Sequence, residues 1–387
     1  MAVAYSPREM IEKLVSFDTT SRDSNLGLIH FVRDYLAEHG IESALIHDET
    51  GEKANLFATV GPEIDGGVVL SGHTDVVPVD GQDWRSDPFA IVERDGRLYG
   101  RGTCDMKSFI AIALALLPEF QARNLTSPIH FAFSYDEEVG CLGVDGIIRH
   151  IDGLTTRPRA VIVGEPTDMT VVNAHKSCYG METVLSGLEA HSSATQSGVN
   201  TIFYAAELIG FIQELAEEMK AKAAPESRFD PPYTTVHVGT IHGGTALNII
   251  PKETKFVWEY RAVPADDGPE IRDRVEAFAR EKLLPKMRAV YPEADIVTRQ
   301  RSAIKGLAPQ NGSPAESLVM ALAGTNQTFA VSYGTEAGAF QHAGVPTVIC
   351  GPGNIAQAHK PDEFIELSQV DACVAFMRRL GDHLNKG

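Results

Sequence analysis

Cysteine is scarce in this chain: five residues in 387, scattered, with no Cys-x-x-Cys pair. An odd, dispersed set excludes a disulfide framework and fits a reducing cytoplasm. Long apolar runs are missing too. None reaches the roughly 18 residues a membrane helix needs, so no membrane association is expected. The opening MAVAYSPREMIEKLVSF has no basic start followed by an apolar core, so no secretion signal is expected. Basic residues are outnumbered, 34 Lys and Arg against 52 Asp and Glu, for a net charge of −18. Nucleic acid and anionic membrane are therefore excluded as natural partners. A cationic small substrate is compatible with that charge, although solubility accounts for it equally well. Two catalytic devices are absent as well. There is no Gly-x-Ser-x-Gly elbow, and the Gly-rich HGGT at His242–Thr245 lacks the lysine and the strand–loop–helix setting of a phosphate loop.

Hydrophobic residues make up 43% of the chain, enough for a substantial core, and the length exceeds one ordinary domain. PREMIEKLVSF and LGLIHFVRDYLAEHG have helical periodicity, the second stopped by Gly40. NLFATVG, GGVVLSG, PIHFAFSYDEE and RAVIVGEPT are short apolar runs of the kind buried strands make, and DMKSFIAIALALLPEFQARN reads as one buried helix. Such alternation predicts an α/β fold, a sheet with helices on both faces. After Lys176 the texture changes to alternating strands around long helices, in the order β-α-β-β-α. This predicts a smaller α+β domain over 177–290, inserted into a larger one made of 1–176 and 291–387.

Histidines and carboxylates collect at the ends of the expected strands or just beyond them. They are His73 and Asp75 in SGHTDVVP, Asp105 in GRGTCDMK, Glu137 and Glu138 in SYDEEVG, Glu165 in VGEPT, and His359 in AQAHKPDEF. Singly each has an ordinary role: a packed histidine, a helix N-cap at Asp105, a solvated turn at DEE, a loop carboxylate at Glu165. Together they converge on one edge of one sheet, where α/β sites assemble. Five of them form a mixed nitrogen and oxygen set suited to zinc or a similar divalent ion. His73 and Asp75 are two apart, so on an extended chain they share a side. The carboxylate is then expected to take the imidazole's other N–H and fix its tautomer.

GHTDVVP, GRGTCDMK, DEEVG, GEPT and AHKPDE, in that order, resemble the signatures of the co-catalytic zinc aminoacylase and carboxypeptidase family. The resemblance spans nearly the whole chain. It implies a zinc-hydrolase catalytic domain with a mixed sheet, interrupted by a lid or dimerisation domain. It implies two zinc ions per chain, or cobalt in zinc's place. His73, Asp105 and Glu165 would hold one, and His359, Asp105 and Glu138 the other, with Asp105 bridging. Glu137 would be the general base and Asp75 the orienter of His73. In GLEAHSSATQSG, His191 would stabilise the oxyanion, often from a partner subunit, which implies a homodimer; Ala190 and Thr195 depart from the family's usual glycine and proline there.

The resemblance further implies that Asn248 and Arg261 hold the substrate's α-carboxylate, a surface ion pair being the alternative for Arg261. Gly351 and Gly353 in CGPG would offer N–H groups to the same end of the ligand. The block YGTEAGAFQHAGVPTVICGPGNIAQAHKPDEF is most similar to family members that deacetylate N-acetyl-L-ornithine. Glu336 would then meet the substrate's free ammonium, unless it merely caps the helix that follows. The expected partner is thus an N-acyl amino acid. Alternatives are succinyl-diaminopimelate hydrolysis, a broad N-acyl amino acid hydrolase, or a non-catalytic binding protein on the same scaffold. An intact Glu137 argues against the last, since a binder needs no base.

Overall fold

The computed structural model describes residues 4–266 and 268–385. The chain divides into two compact units. One runs to Ala174 and resumes over Leu307–Ala330 and from Thr335; the other comprises His175–Gly306 and Val331–Gly334.

The first unit is built on an eight-stranded sheet. Its strands lie in the order Ser43–His47, Ala54–Val60, Ile129–Ser134, Val68–His73, Ala160–Pro166, Thr347–Gly351, Val172–His175 and Phe329–Val331. Four of them, Ile129–Ser134, Val68–His73, Ala160–Pro166 and Thr347–Gly351, are consecutive and parallel. They are buried at every position, which is why they read as unbroken apolar runs. Antiparallel pairs flank them, so the sheet is mixed, as expected.

The helix Lys107–Ala115 is buried at all nine positions. It sits hard against the sheet because two strand residues have no side chain. A Cβ on Gly164 would lie 2.0 Å from Phe109 Cγ, and one on Gly72 would lie 2.7 Å from Met106 Cε. That close seat brings Asp105, just before the helix, to the strand ends. The expected single helix is split into Lys107–Ala115 and Leu117–Gln121. Pro118 is the reason, since it has no N–H to give the carbonyl four residues back. Helices Pro7–Val15, closed by a Ser6–Glu9 capping box, and Leu367–Leu384 complete the layer. Leu14, Ile110, Phe120, Phe376 and Leu380 meet in one core. Each such side chain contributes about 1.5–3 kcal/mol by leaving water.

The second unit has its own core, including Met181, Leu208, Leu215, Phe256, Trp258 and Val275. Its four antiparallel strands lie in the order Thr235–Gly243, Glu253–Arg261, Cys178–Ser186, Asp295–Ile304. Helix Thr201–Ala221 and a rod over 268–288, with a π turn at Ala279–Leu283, pack on the sheet and on each other. The unit extends past the expected end at 290, because Asp295–Ile304 pairs along Cys178–Ser186 and the order is β-α-β-β-α-β. That last strand, DIVTRQRSAI, lies at the sheet edge with much of its length exposed, so its apolar signal is thin. The boundaries fall at His175 and Gly306, with a short return at Val331–Gly334. Among the described residues no helix is long and apolar enough to cross a membrane.

Candidate metal centre

The four parallel strands end side by side, and each leads into a polar group. His73 is the last residue of its strand. Glu137 and Glu138 follow Ile129–Ser134, Glu165 is the penultimate residue of Ala160–Pro166, and the loop after Thr347–Gly351 carries His359. Asp105 joins them from the turn before Lys107–Ala115. It does not cap that helix: the cap position is Met106, with no side-chain bond.

Asp105 lies between two imidazoles. Its Oδ1 is 3.0 Å from His73 Nε2 and its Oδ2 is 3.2 Å from His359 Nε2. His73 Nε2 is also 3.6 Å from Glu165 Oε1, and His359 Nε2 is 3.0 Å from Glu138 Oε2. Ligand atoms of His73, Glu137 and Glu165 lie within 4.8 Å of one another, as do those of His73, Asp105 and Glu138. The six side chains expected to meet therefore do. His359 is in the left-handed backbone region, φ 63°, which a non-glycine residue adopts only when its surroundings hold it there.

His73 Nδ1 is 2.9 Å from the backbone oxygen of Asp75. A carbonyl can only accept, so Nδ1 carries a hydrogen and Nε2 is the atom left to ligate. The expectation that the Asp75 carboxylate does this is corrected: it is 3.6 Å from Nδ1. Instead that carboxylate accepts from Ser21 Oγ at 2.7 Å and from the N–H groups of Glu137 and Glu138 at 3.1 and 3.3 Å. It holds the loop that carries both glutamates. Lys53 holds the same loop from the other side, through Asp136 at 2.6 Å.

The electrostatics call for cations. Asp75, Asp105, Glu137 and Glu165 are buried, and Glu138 nearly so. Burial, then the like charge of neighbouring carboxylates, pushes Glu137 and Glu165 well above the usual carboxylate range and Glu138 up to about 7. Burial acts against protonated His73, but Asp105 and Asp75 outweigh it and its pKa rises well above the ordinary value. Hydrogen bonds donated to the Asp105 and Glu138 carboxylates take His359 up to about 10. Fully ionised, the five carboxylates carry more negative charge than two protonated imidazoles balance. A closed-in set of carboxylate oxygens and imidazole nitrogens with surplus charge is the donor chemistry of zinc-like divalent ions. The residues present fit that group.

Three expected ligand contacts of this unit are corrected. Glu336 is 1% exposed, and its carboxylate accepts from Ser71 Oγ at 2.5 Å and Ser134 Oγ at 2.8 Å. It braces two strand ends and presents no open face to an ammonium; nor does it make a side-chain cap bond. The N–H of Gly351 goes to Thr167 Oγ1 at 3.2 Å, and that of Gly353 to Gln369 Oε1 at 3.2 Å, so neither is open to a ligand. Gly351 is required by packing, since a Cβ there would lie 2.0 Å from the oxygen of Gly164.

In the second unit, His191 and Asn248 come together through a small ribbon. Ala190–His191 pairs with Ile249–Ile250, and Ser192 N–H donates to the Asn248 oxygen at 3.0 Å. Both residues are exposed. Ser193 N–H donates to His191 Nδ1 at 3.2 Å, which leaves Nε2 as the ring atom that carries the hydrogen in the neutral tautomer. Arg261 pairs with Glu259 at 3.0 Å, the surface ion pair that was its alternative reading.

The sequence reading missed Glu363, Arg101 and Gln82. Glu363 Oε1 accepts from the N–H of Cys104 at 2.8 Å and of Asp105 at 3.0 Å. Its position four residues after His359 was the available signal, but within HKPDEF it looks like part of a solvated charge run.

Residues 69–383 match peptidase family M20/M25/M40. The chain is 33% identical to the acetylornithine deacetylase of Pasteurella multocida over 366 residues, covering 94% of this chain and 93% of that one. It is 33% identical to the acetylornithine deacetylase of Myxococcus xanthus over 392 residues, covering 98% of each. Among solved structures, the M20 family metallo-carboxypeptidase Sso-CP2 from Sulfolobus solfataricus shares the fold, with a TM-score of 0.76 at 16% identity over 98% of this chain and 99% of that one.

Proposed function

Because this chain belongs to peptidase family M20/M25/M40, we propose that it is a metal-dependent amidohydrolase that converts N-acetyl-L-ornithine and water to ornithine and acetate, a step of arginine biosynthesis. The observation that carries this reading is the convergence of His73, Glu165, Glu138 and His359 around Asp105, in a chain that aligns almost end to end with acetylornithine deacetylases.

His73, Asp105 and Glu165 would hold one divalent ion, and His359, Asp105 and Glu138 a second, with zinc, or cobalt in its place, as the ion. Bound there, the ions polarise the amide carbonyl and lower the pKa of water toward ~7. Glu137 takes the proton of the attacking water and delivers it to the departing amine nitrogen. Its buried, raised-pKa carboxylate suits a group that must hold that proton between the two steps. Asp75 and Lys53 keep the Glu137 loop in place. As in the family it resembles, His191 would reach the active site of a partner subunit and donate to the oxygen on which charge develops, and Asn248 would take the substrate's carboxylate.

The active form is a homodimer. Support comes from the exposed apolar side chains Phe203, Ile241 and Leu247 of the second unit, beside an exposed edge strand, Thr235–Gly243. The enzyme works in the cytoplasm, in keeping with five free cysteines.

The test is a panel of N-acetyl-L-ornithine, N-succinyl-diaminopimelate and N-acetyl-methionine, assayed with and without added Zn²⁺ or Co²⁺. N-acetyl-L-ornithine should have the highest kcat/KM, and turnover should need metal. Glu137→Gln should keep its metal while kcat falls by about 10²–10⁴-fold. Metal-independent turnover, or a clear preference for either other substrate, refutes the reading.

A further inference from the structure

The two halves of the metal centre are built differently. His73 is fixed by its own strand and by the carbonyl two residues on. His359 sits on a loop with no strand or helix of its own, in the left-handed backbone region, its side chain about half exposed. Something else must place it.

A closed circuit of hydrogen bonds does so. Glu363 is 1% exposed, and four donors meet its carboxylate: Arg101 Nη1 at 2.7 Å and Gly102 N–H at 3.1 Å on one oxygen, and the N–H groups of Cys104 and Asp105 on the other. That fills the acceptor capacity of a carboxylate. Arg101, equally buried, turns its Nη2 to Gln82 Oε1 at 2.6 Å. Trp84 holds this arrangement, with its ring 5.0 Å from the guanidinium and its Nε1–H on Gln82 Oε1 at 3.0 Å. Gln82 Nε2 then donates to the backbone oxygen of His359 at 3.0 Å. The imidazole of His359 meets Asp105, whose own N–H is on Glu363, and the circuit closes.

We propose that Glu363, Arg101 and Gln82 are positioning residues that set His359 against Asp105, so that breaking their circuit releases the ion held through His359 before the ion held through His73. None of the three touches the reacting atoms. Their effect passes through the backbone of His359 and the turn that carries Asp105. The inference rests on the metal reading above and goes beyond it by making the two ion positions unequal.

The experiment is titration of metal-free, full-length protein with Co²⁺, followed by the visible absorption of each bound ion and by calorimetry. The wild type should take two ions. Gln82→Leu removes the link to the His359 oxygen together with the acceptor for Arg101 Nη2 and Trp84 Nε1, at a half-buried position. It should bind the first ion with wild-type affinity and spectrum, and the second about tenfold or more weakly with an altered spectrum. Glu363→Gln, which keeps the shape but removes the charge opposite Arg101 and loosens the turn that carries the shared Asp105, should weaken both ions, the second more than the first. The first ion is the internal control, because general loss of stability would weaken both together. A Gln82→Leu protein that binds two ions as the wild type does overturns this inference alone, and so does equal weakening of both ions. A wild type that takes up no Co²⁺ overturns the metal reading and this inference with it.

Discussion

Replacing Glu336 separates bracing from substrate recognition. The side chain is buried and receives two serine hydroxyls, from Ser71 and Ser134, each two positions before a residue of the centre's own loops or strand ends. Hydrogen bonds to a charged group contribute about 1.5–3 kcal/mol each. Burial offsets part of this, since it disfavours the ionised form and raises the Glu336 pKa. Glu336→Ala also leaves a cavity, and Ser134 loses the Glu336 acceptor, while Ser71 retains a long contact with the Ala132 oxygen. The net cost is expected at about 2–4 kcal/mol. Glu336→Gln keeps the volume; its carbonyl can accept from one serine and its amide can donate to the other, so the cost falls to about 1 kcal/mol. Urea unfolding of the two variants measures this order. In the kinetic arm, N-acetyl-L-ornithine is compared with N-acetyl-L-norvaline, which lacks the ammonium. A brace alters both substrates alike, so the ratio of their KM values in Glu336→Gln stays within about twofold of wild type. The reasoning is refuted if Glu336→Gln is as stable as wild type and loses about tenfold, ~1.4 kcal/mol, on N-acetyl-L-ornithine alone.

Metal removal should make stability depend on pH in a stated direction. In metal-free protein the folded-state pKa values of Glu137, Glu138 and Glu165 lie above the unfolded value, and so do those of His73 and His359. Groups of either kind with raised folded pKa stabilise at low pH and lose that contribution as pH rises. The melting temperature of chelator-treated protein should therefore fall as pH rises from about 4.5 through about 7, and saturating Zn²⁺ should remove most of that slope; a flat metal-free profile contradicts the charge crowding. Asp75→Ala leaves the Glu137 and Glu138 N–H groups without their carboxylate, and should cost about 2–4 kcal/mol in denaturant unfolding while lowering kcat more than it raises KM. Wild-type unfolding would show that the loop is held elsewhere. Gly164→Ala drives a Cβ into Phe109 and should destabilise by about 1–3 kcal/mol or more, with loss of metal, since the same helix seat places Asp105. A variant with normal stability and metal content would show that helix and sheet part easily there.

The parallel core and its ligands were legible because both leave local marks. Strands buried on two faces are continuous apolar runs, and the convergence of several imidazoles and carboxylates on one edge of such a sheet is not explained by the ordinary role that each has singly. The strand Asp295–Ile304 left no such mark: it is an edge strand, wet over much of its length, and it is defined by its partner Cys178–Ser186. Contacts between residues far apart in sequence were also hidden. Asp75 two residues from His73 suggested a side-chain bond, but its backbone oxygen is the nearer acceptor for the ring, and the carboxylate, 3.6 Å from Nδ1, also holds a loop 62 residues on. The resemblance alone put Glu336 near the ligand; its serines come from two distant strands, which nothing local in the sequence shows. The resemblance likewise made Gly351 and Gly353 donors to the ligand, while their acceptors, Thr167 and Gln369, are distant in sequence.

The place of Thr347–Gly351 in the sheet has a consequence for biosynthesis. This strand is translated near the end, yet it belongs in the interior, between Ala160–Pro166 and Val172–His175. His73, Asp105, Glu137, Glu138 and Glu165 all lie in the first 165 residues, whereas His359 follows this late strand. Neither the interior of the sheet nor the ion-binding set can therefore be complete until the last part of the chain has been made.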